Sequence, residues 1–295
     1  MQFLRHLLPL LSPAFVPSKR NKVLSKVASN LDFYLPFRRH APSLANARRV
    51  LYADVNRLAS ENGVGFFNIL AFRGVFFGSP FARSDHFRWF DSLADWKQFY
   101  AMEKGEANKY EDERYYVTKN CYGQSQIGRQ LSLLPSYWDQ RTLWNDMFNK
   151  PAKPTMCKVF KWLIARQTVD VYKKQSVTVF SNIGELTALL ICGDLVEAGI
   201  IPMPSAEEWA KLIAKVGKGS KAGLEMCGFI EGNNNQQRIC EAFVSLDLAL
   251  QQELSNKEKE AIGYNVIMLE HALCKIKRLT NRKISEAVIY SEISR

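Results

Sequence analysis

The strongest constraint in this sequence is a recurring pattern of apolar residues at helical spacing, bounded by residues that start and stop helices. In one such run, at 183–198, Asn182 stands before the first apolar residue and Gly199 follows the last. Ser205 and Glu208 then have the spacing of a capping box, in which each side chain satisfies a backbone amide at the start of a helix. Because this pattern recurs along the chain, we predict an all-α or nearly all-α fold.

The composition is that of a globular body. Hydrophobic residues make up 47% of the 295 positions and charged residues 23%, which excludes a disordered chain and leaves room for one large or two ordinary domains. The longest helix that we predict in the last part of the chain runs from Lys257 to Leu279. The predicted segments are a basic arm or targeting segment at 1–41, a first helical block at 42–104, an irregular connector at 105–134 and a C-terminal helical domain at 135–295.

One strongly apolar stretch, Gly63–Phe81, raises the question of a membrane span. Arg73 lies in its middle, and the uncharged pieces on either side are too short to cross the ~30 Å hydrocarbon core. We therefore predict a buried helix and no transmembrane segment. Asp194 and Glu197 lie one turn apart on another largely apolar helix, and we interpret them as its solvated edge rather than as metal ligands.

Basic residues are concentrated at the start of the chain. The whole sequence has 40 Lys and Arg against 29 Asp and Glu, but residues 1–60 hold ten basic and only two acidic side chains. This pattern is typical of a nucleic-acid arm, a membrane-surface segment or a targeting peptide. Residues 1–31 contain no acid and look like a mitochondrial transit peptide, although an ordinary basic segment that packs on the body has the same composition.

Two compact basic clusters stand out in this first part, Lys19-Arg20-Asn21-Lys22 and Arg38-Arg39-His40, with Phe33, Tyr34 and Phe37 beside the second. Aromatic rings can stack on bases while neighbouring cations contact phosphates. The alternatives are a nuclear or mitochondrial address and simple solvation. The candidate nucleic-acid contacts here are Lys19, Arg20, Lys22, Arg38, Arg39, Arg48 and Arg49.

The most specific local pattern lies at 212–224, where Gly217 and Gly219 are two residues apart. Over about 205–230 this stretch resembles the helix-hairpin-helix motif of DNA-binding proteins that do not read sequence. The resemblance implies that amides of the glycine turn meet backbone phosphate. Lys218 departs from the motif, which usually has an apolar residue between the glycines. The alternative is a plain connection between two helices, with a glycine C-cap and a solvated lysine face. The candidate contacts are Lys211, Lys215, Gly217, Lys218, Gly219 and Lys221.

Signatures of catalysis are weak. The four histidines form no metal-ligand spacing, and neither a phosphate-binding loop nor a dinucleotide fingerprint occurs. These patterns identify no catalytic residue and leave open whether the protein is an enzyme, and we predict no metal ligand and no cofactor. The six cysteines are scattered, which favours a reducing, intracellular compartment, with the mitochondrion and the nucleus both open.

The function predicted from these patterns is sequence-tolerant binding of nucleic acid, either RNA or DNA. Two alternatives remain open at the level of sequence. One is a self-assembling nucleoprotein or coat-like protein, which would be a homo-oligomer. The other is a mitochondrial matrix enzyme or assembly factor.

Overall fold

The computed structural model describes residues 2–103, 114–116, 131–168, 176–232, 235–280 and 286–293, so most of the predicted connector at 105–134 lies outside the described residues. The helices in chain order are α1 (Gln2–Leu7), α2 (Lys22–Ala28), α3 (Leu31–Tyr34), α4 (Pro42–Val50), α5 (Val55–Leu58), α6 (Val64–Ala71), α7 (Pro80–Arg83), α8 (Leu93–Glu103), α9 (Leu133–Gln140), α10 (Trp144–Phe148), α11 (Met156–Leu163), α12 (Glu185–Glu197), α13 (Ala206–Val216), α14 (Lys218–Met226), α15 (Gln236–Glu253), α16 (Asn256–Ile262), α17 (Val266–Thr280) and α18 (Glu286–Ile293). Strands β1 (Arg166–Thr168) and β2 (Ser176–Thr178) form one short antiparallel pair. The predicted all-α class is confirmed.

The chain folds into two compact units. The terminal unit contains Met1–Leu44 and Pro204–Arg295, and the central unit contains Ala45–Met203. This division places the first 44 residues in the same unit as the C-terminal helices. It differs from the predicted order of segments, in which residues 1–41 stand apart from the C-terminal helical domain.

The central unit has a core rich in aromatic rings, and the stretch Gly63–Phe81 lies within it. α6 is followed by a π-helix at Phe72–Phe76 and then by α7, and α6 and the π-helix are buried throughout. The prediction of a buried helix here is confirmed. Among the described residues, no helix combines the length and the apolar composition that crossing a bilayer requires.

The terminal unit is organised around α17, which contacts α14 as well as α2 and α3. Lys275 on α17 is buried, and its ammonium donates hydrogen bonds to the carbonyls of Asp32 at 2.6 Å and Phe33 at 2.9 Å. Those carbonyls belong to α3, where the negative end of a helix dipole favours a cation. A long-range contact therefore fixes the N-terminal helices against the C-terminal part of the sequence.

Candidate nucleic-acid interface

The helices α13 and α14 flank the glycine pattern found in the sequence. α13 begins with the predicted capping box, which is confirmed: the Glu208 amide donates to Ser205 Oγ at 3.2 Å, and the Ser205 amide donates to Glu208 Oε2 at 3.1 Å. At the other end, the Gly217 amide donates to the Ile213 carbonyl at 2.6 Å. α14 starts at the next residue, so one glycine alone connects the two helices.

Four lysines surround this connection, and we call Lys211, Lys215, Lys218 and Lys221 the lysine bend. Lys211, Lys215 and Lys218 are exposed, and Lys221 is half-buried. None of the four forms a salt bridge within the part of the chain that the structure describes. Their ammonium groups are thus available to an anion from solution.

Acidic side chains lie mainly away from the connection itself. Glu207 and Glu208 occupy the first turn of α13, and Glu225 lies near the far end of α14. The pKa of Glu207 is lowered, chiefly by a side-chain hydrogen bond with Ser205 and to a smaller degree by the charge of Lys211. Lys211 is therefore partly balanced by an acid, and Lys221 lies one helical turn before Glu225, so positive charge is concentrated at Lys215 and Lys218.

The opposite face of α14 is packed against α17. Ser220 is buried and its hydroxyl donates to Glu270 Oε1 at 2.7 Å. A Cβ placed at Gly219 would lie 2.7 Å from Cys274 Sγ, and one at Gly223 would lie 2.5 Å from the Leu273 carbonyl oxygen. The side of α14 that carries these small residues faces the core, so Lys218 and Lys221 project from the other side.

The glycines therefore have a different role from the one that the motif implies. Gly217 is buried, and Gly219 is the second residue of α14 rather than part of a turn. Gly219 and Gly223 allow two helices to approach closely, because a side chain would collide with α17. The expectation that both Gly217 and Gly219 leave turn amides uncovered is therefore wrong, because Gly217 is buried and Gly219 lies within α14. The amides of the first turn of α14 still lack intrahelical acceptors, as at any helix start.

The predicted cations of the N-terminal segment fall into two groups. Lys19, Arg20 and Lys22 are exposed. Arg38 is only 1% exposed, and Arg39 is half-buried with its guanidinium against Gly263. Arg38 is therefore corrected as a candidate contact, because a guanidinium enclosed in the terminal unit cannot reach a phosphate in solution.

The N-terminal segment as a whole is packed into the terminal unit. Phe3, Leu4 and Leu7 of α1 are buried, as are Val23 and Val27 of α2. This is the arrangement expected for a basic segment that packs on the body. The exposed triad Lys19, Arg20 and Lys22 thus belongs to the same unit as the lysine bend.

Arg48 and Arg49 lie on α4 and belong to the central unit, whereas the other candidate contacts belong to the terminal unit. Arg49 is exposed and Arg48 is half-buried. The Arg49 guanidinium donates to Asn46 Oδ1 at 3.4 Å, which is a local contact within the helix. The bend, Lys19, Arg20 and Lys22 therefore belong to the terminal unit, and these two arginines belong to the central unit.

Other features of the structure give less basis for a functional site. The central unit has a cavity of about 210 Å³ lined in part by Trp144, Asn145, Phe148 and Lys153, which is smaller than most ligand pockets at roughly 300–1,000 Å³. Burial raises the pKa of the Cys192 thiol. That thiol is held in its protonated form, which is a poor nucleophile. The cavity was not identified from the sequence.

No family model matches this chain, and no match is found among curated proteins or among solved structures.

Proposed function

We propose that this protein binds nucleic acid without sequence preference, through the lysine bend of the terminal unit. The proposal rests on three cations at the α13–α14 connection: Lys215, Lys218 and Lys221 form no salt bridge among the described residues. The helix that bears Lys218 and Lys221 is packed on its other face, which leaves Lys218 exposed and Lys221 half-buried.

The chemistry of such a surface favours the phosphate backbone over the bases. A lysine ammonium is a compact point charge that meets a phosphate oxygen in many orientations, and it reads no base identity. The first turn of α14 adds the positive end of a helix dipole beside Lys218. Binding of this kind is sequence-tolerant and depends strongly on salt, because each phosphate contact releases condensed counterions.

The proposed interface keeps only part of the helix-hairpin-helix motif. Two short helices joined at a glycine are present, but Gly219 is used for packing against α17. The proposed contacts are therefore made by lysine side chains rather than by a glycine turn. Lys19, Arg20 and Lys22 add positive potential in the same unit, which increases the attraction of a polyanion at long range.

Fluorescence anisotropy with labelled single-stranded and double-stranded oligonucleotides of unrelated sequence tests the proposal. The substitutions Lys215→Gln, Lys218→Gln and Lys221→Gln are combined in one variant. The matched control combines Lys97→Gln, Lys150→Gln and Lys158→Gln, which are exposed lysines of the central unit. We expect the bend variant to lose about tenfold or more in affinity, because non-specific binding is electrostatic. Equal affinity of the two variants for the oligonucleotides would contradict the assignment of the lysine bend as the interface.

The alternative of a self-assembling nucleoprotein can be distinguished in the same samples. Size-exclusion chromatography with and without the oligonucleotide separates a monomer that binds from a homo-oligomer that assembles. We expect one species of monomer size without nucleic acid and a discrete complex with it. A large assembly that forms in either condition would favour the coat-like alternative.

A further inference from the structure

The loop that joins α1 to α2 exposes apolar side chains in an unusual way. Val16 is 83% exposed and its neighbour Phe15 is 36% exposed. Single exposed apolar residues are normal on protein surfaces, but Val16 is the most exposed large apolar side chain in the described chain and is adjacent to a phenylalanine. Pro13 and Pro17 flank the pair. We call residues 12–18 the proline loop.

The proline loop is held in place by backbone hydrogen bonds. The Ser12 amide donates to the Pro9 carbonyl at 3.1 Å, and the Phe15 amide donates to the Ser12 carbonyl at 3.0 Å. At its end, the Asn21 amide donates to the Ser18 carbonyl at 2.9 Å. A 3-10 helix at Leu8–Leu11 connects α1 to the loop, and α1 and α2 have buried apolar residues, so the loop presents Phe15 and Val16 between two packed helices.

Three exposed cations follow the proline loop directly, namely Lys19, Arg20 and Lys22. An acidic side chain, Glu292 of α18, contacts the backbone beside the last of them. Its Oε1 accepts the Lys22 amide at 3.0 Å and its Oε2 accepts the Val23 amide at 2.9 Å. That carboxylate is hydrogen-bonded to backbone amides, and none of the three cations forms a salt bridge among the described residues, so their side-chain charges are available to an anionic partner.

We propose that the proline loop and its three cations form a contact with an anionic lipid surface, with Phe15 and Val16 inserted at the boundary between headgroups and acyl chains. Cations beside an apolar tip match such a surface, since anionic headgroups attract the charges and the acyl region accepts the apolar side chains. A nucleic acid would use the cations but would gain nothing from Val16, which has no ring to stack on a base.

The test is co-sedimentation of the full chain with vesicles of phosphatidylcholine alone or mixed with phosphatidylserine. The variant that combines Phe15→Ser with Val16→Ser changes no charge, and Leu248→Ser at another exposed apolar position is its control. A second variant combines Lys19→Gln, Arg20→Gln and Lys22→Gln, with the Lys97, Lys150 and Lys158 triple variant as its control.

We expect binding to the phosphatidylserine vesicles and little binding to phosphatidylcholine alone. The apolar variant should lose about tenfold in partitioning, which follows from withdrawing two side chains from the interface. Each lost cation should weaken partitioning by about fivefold. Both controls should bind like the native chain.

Three outcomes would overturn the proposal. The native chain could fail to sediment with the anionic vesicles. The apolar variant could bind them as well as the native chain, which would leave a purely electrostatic attraction. The apolar variant could instead lose oligonucleotide binding in parallel, which would assign the loop to nucleic acid. Loss of vesicle binding with unchanged oligonucleotide binding supports the lipid contact and separates it from the role of the lysine bend.

Discussion

Two charged residues in the core of the central unit are paired across a long stretch of sequence. Arg73 and Asp194 have side chains that are 1% and 0% exposed, and the guanidinium donates to both carboxylate oxygens at 2.5 Å. The sequence suggested that Asp194 lies on a solvated edge of its helix, and this is wrong. Periodicity shows which face of a helix is apolar, but it does not show that a cation 121 positions away lies opposite one acid on that face.

Asp194→Asn should destabilise the protein by about 3–5 kcal/mol, because it leaves the Arg73 guanidinium charged and uncompensated inside the core. The control is Asp91→Asn, which breaks the exposed pair with Arg57 and should cost less than about 1 kcal/mol. Urea denaturation followed by tryptophan fluorescence measures both changes. Similar midpoints for the two variants would contradict the assignment of Arg73 and Asp194 as a buried pair.

An acid of the terminal unit links stability to pH. The pKa of Glu258 is lowered from 4.5 to about 2, first by a side-chain hydrogen bond with Arg5 and then by hydrogen bonds with Ser255. Because the folded state lowers this pKa, the contribution of Glu258 to stability is present above pH 4.5 and is lost as the pH falls towards about 2. The pair joins α1 to the start of α16, so acid weakens the attachment of the N-terminal helix.

Glu258→Gln should lower the denaturation midpoint at neutral pH and flatten its decline between pH 4.5 and about 2. Glu260→Gln removes the same charge from an exposed position of the same helix and serves as the control. Midpoints are measured by urea denaturation across that pH range. An unchanged pH profile in Glu258→Gln would show that this carboxylate is not ion-paired in the folded protein.

The boundaries of the helices were predicted less well from the sequence than their presence. The helix predicted from Lys257 to Leu279 is divided into α16 and α17 at Gly263, which adopts a positive φ of 65°. The Tyr264 amide donates to the Lys259 carbonyl at 2.8 Å and closes the first helix. A glycine inside an apolar periodic run can continue a helix or end it, and the pattern alone does not decide which.

The close approach of α14 and α17 makes the stability of the protein sensitive to the size of the side chain at position 223. Gly223→Ala should destabilise the protein by about 1–3 kcal/mol, because the new methyl group would overlap the Leu273 carbonyl, which belongs to the backbone and cannot move aside easily. Gly184→Ala is the control, since no atom lies within 4 Å of the added Cβ. Thermal denaturation compares the two. Equal melting temperatures would mean that the helices are farther apart than described.

At the scale of the whole molecule, the fold class was predictable and the arrangement of segments was not. Capping signals and apolar periodicity are local, and they were sufficient to predict the all-α class. The union of the first 44 residues with the C-terminal helices depends on contacts such as Lys275 with Asp32 and Phe33, which join residues more than 240 positions apart. Nothing in the local pattern of either segment specifies that partner.

In the candidate interface too, local features could be predicted from the sequence and long-range packing could not. Exposure of Lys211, Lys215 and Lys218 could be expected from a solvated helix face. The burial of Arg38 and the packing role of Gly219 could not, because both depend on which neighbouring element covers them. The two units also share the positive charge, with 20 basic and 13 acidic residues in the terminal unit and 20 and 16 in the central unit. Local arrangement rather than total charge therefore distinguishes the bend.

The central claim is that the lysine bend contacts phosphate, and the salt dependence of nucleic-acid affinity tests it most directly. Affinity for a labelled duplex is measured between about 50 and 200 mM salt, and its logarithm is plotted against the logarithm of the salt concentration. The slope for the variant lacking Lys215, Lys218 and Lys221 should be shallower than the native slope by about 3, or about 0.9 per lost phosphate contact on a duplex, while the control lacking Lys97, Lys150 and Lys158 keeps the native slope. Identical slopes for the native chain and the bend variant would contradict the claim.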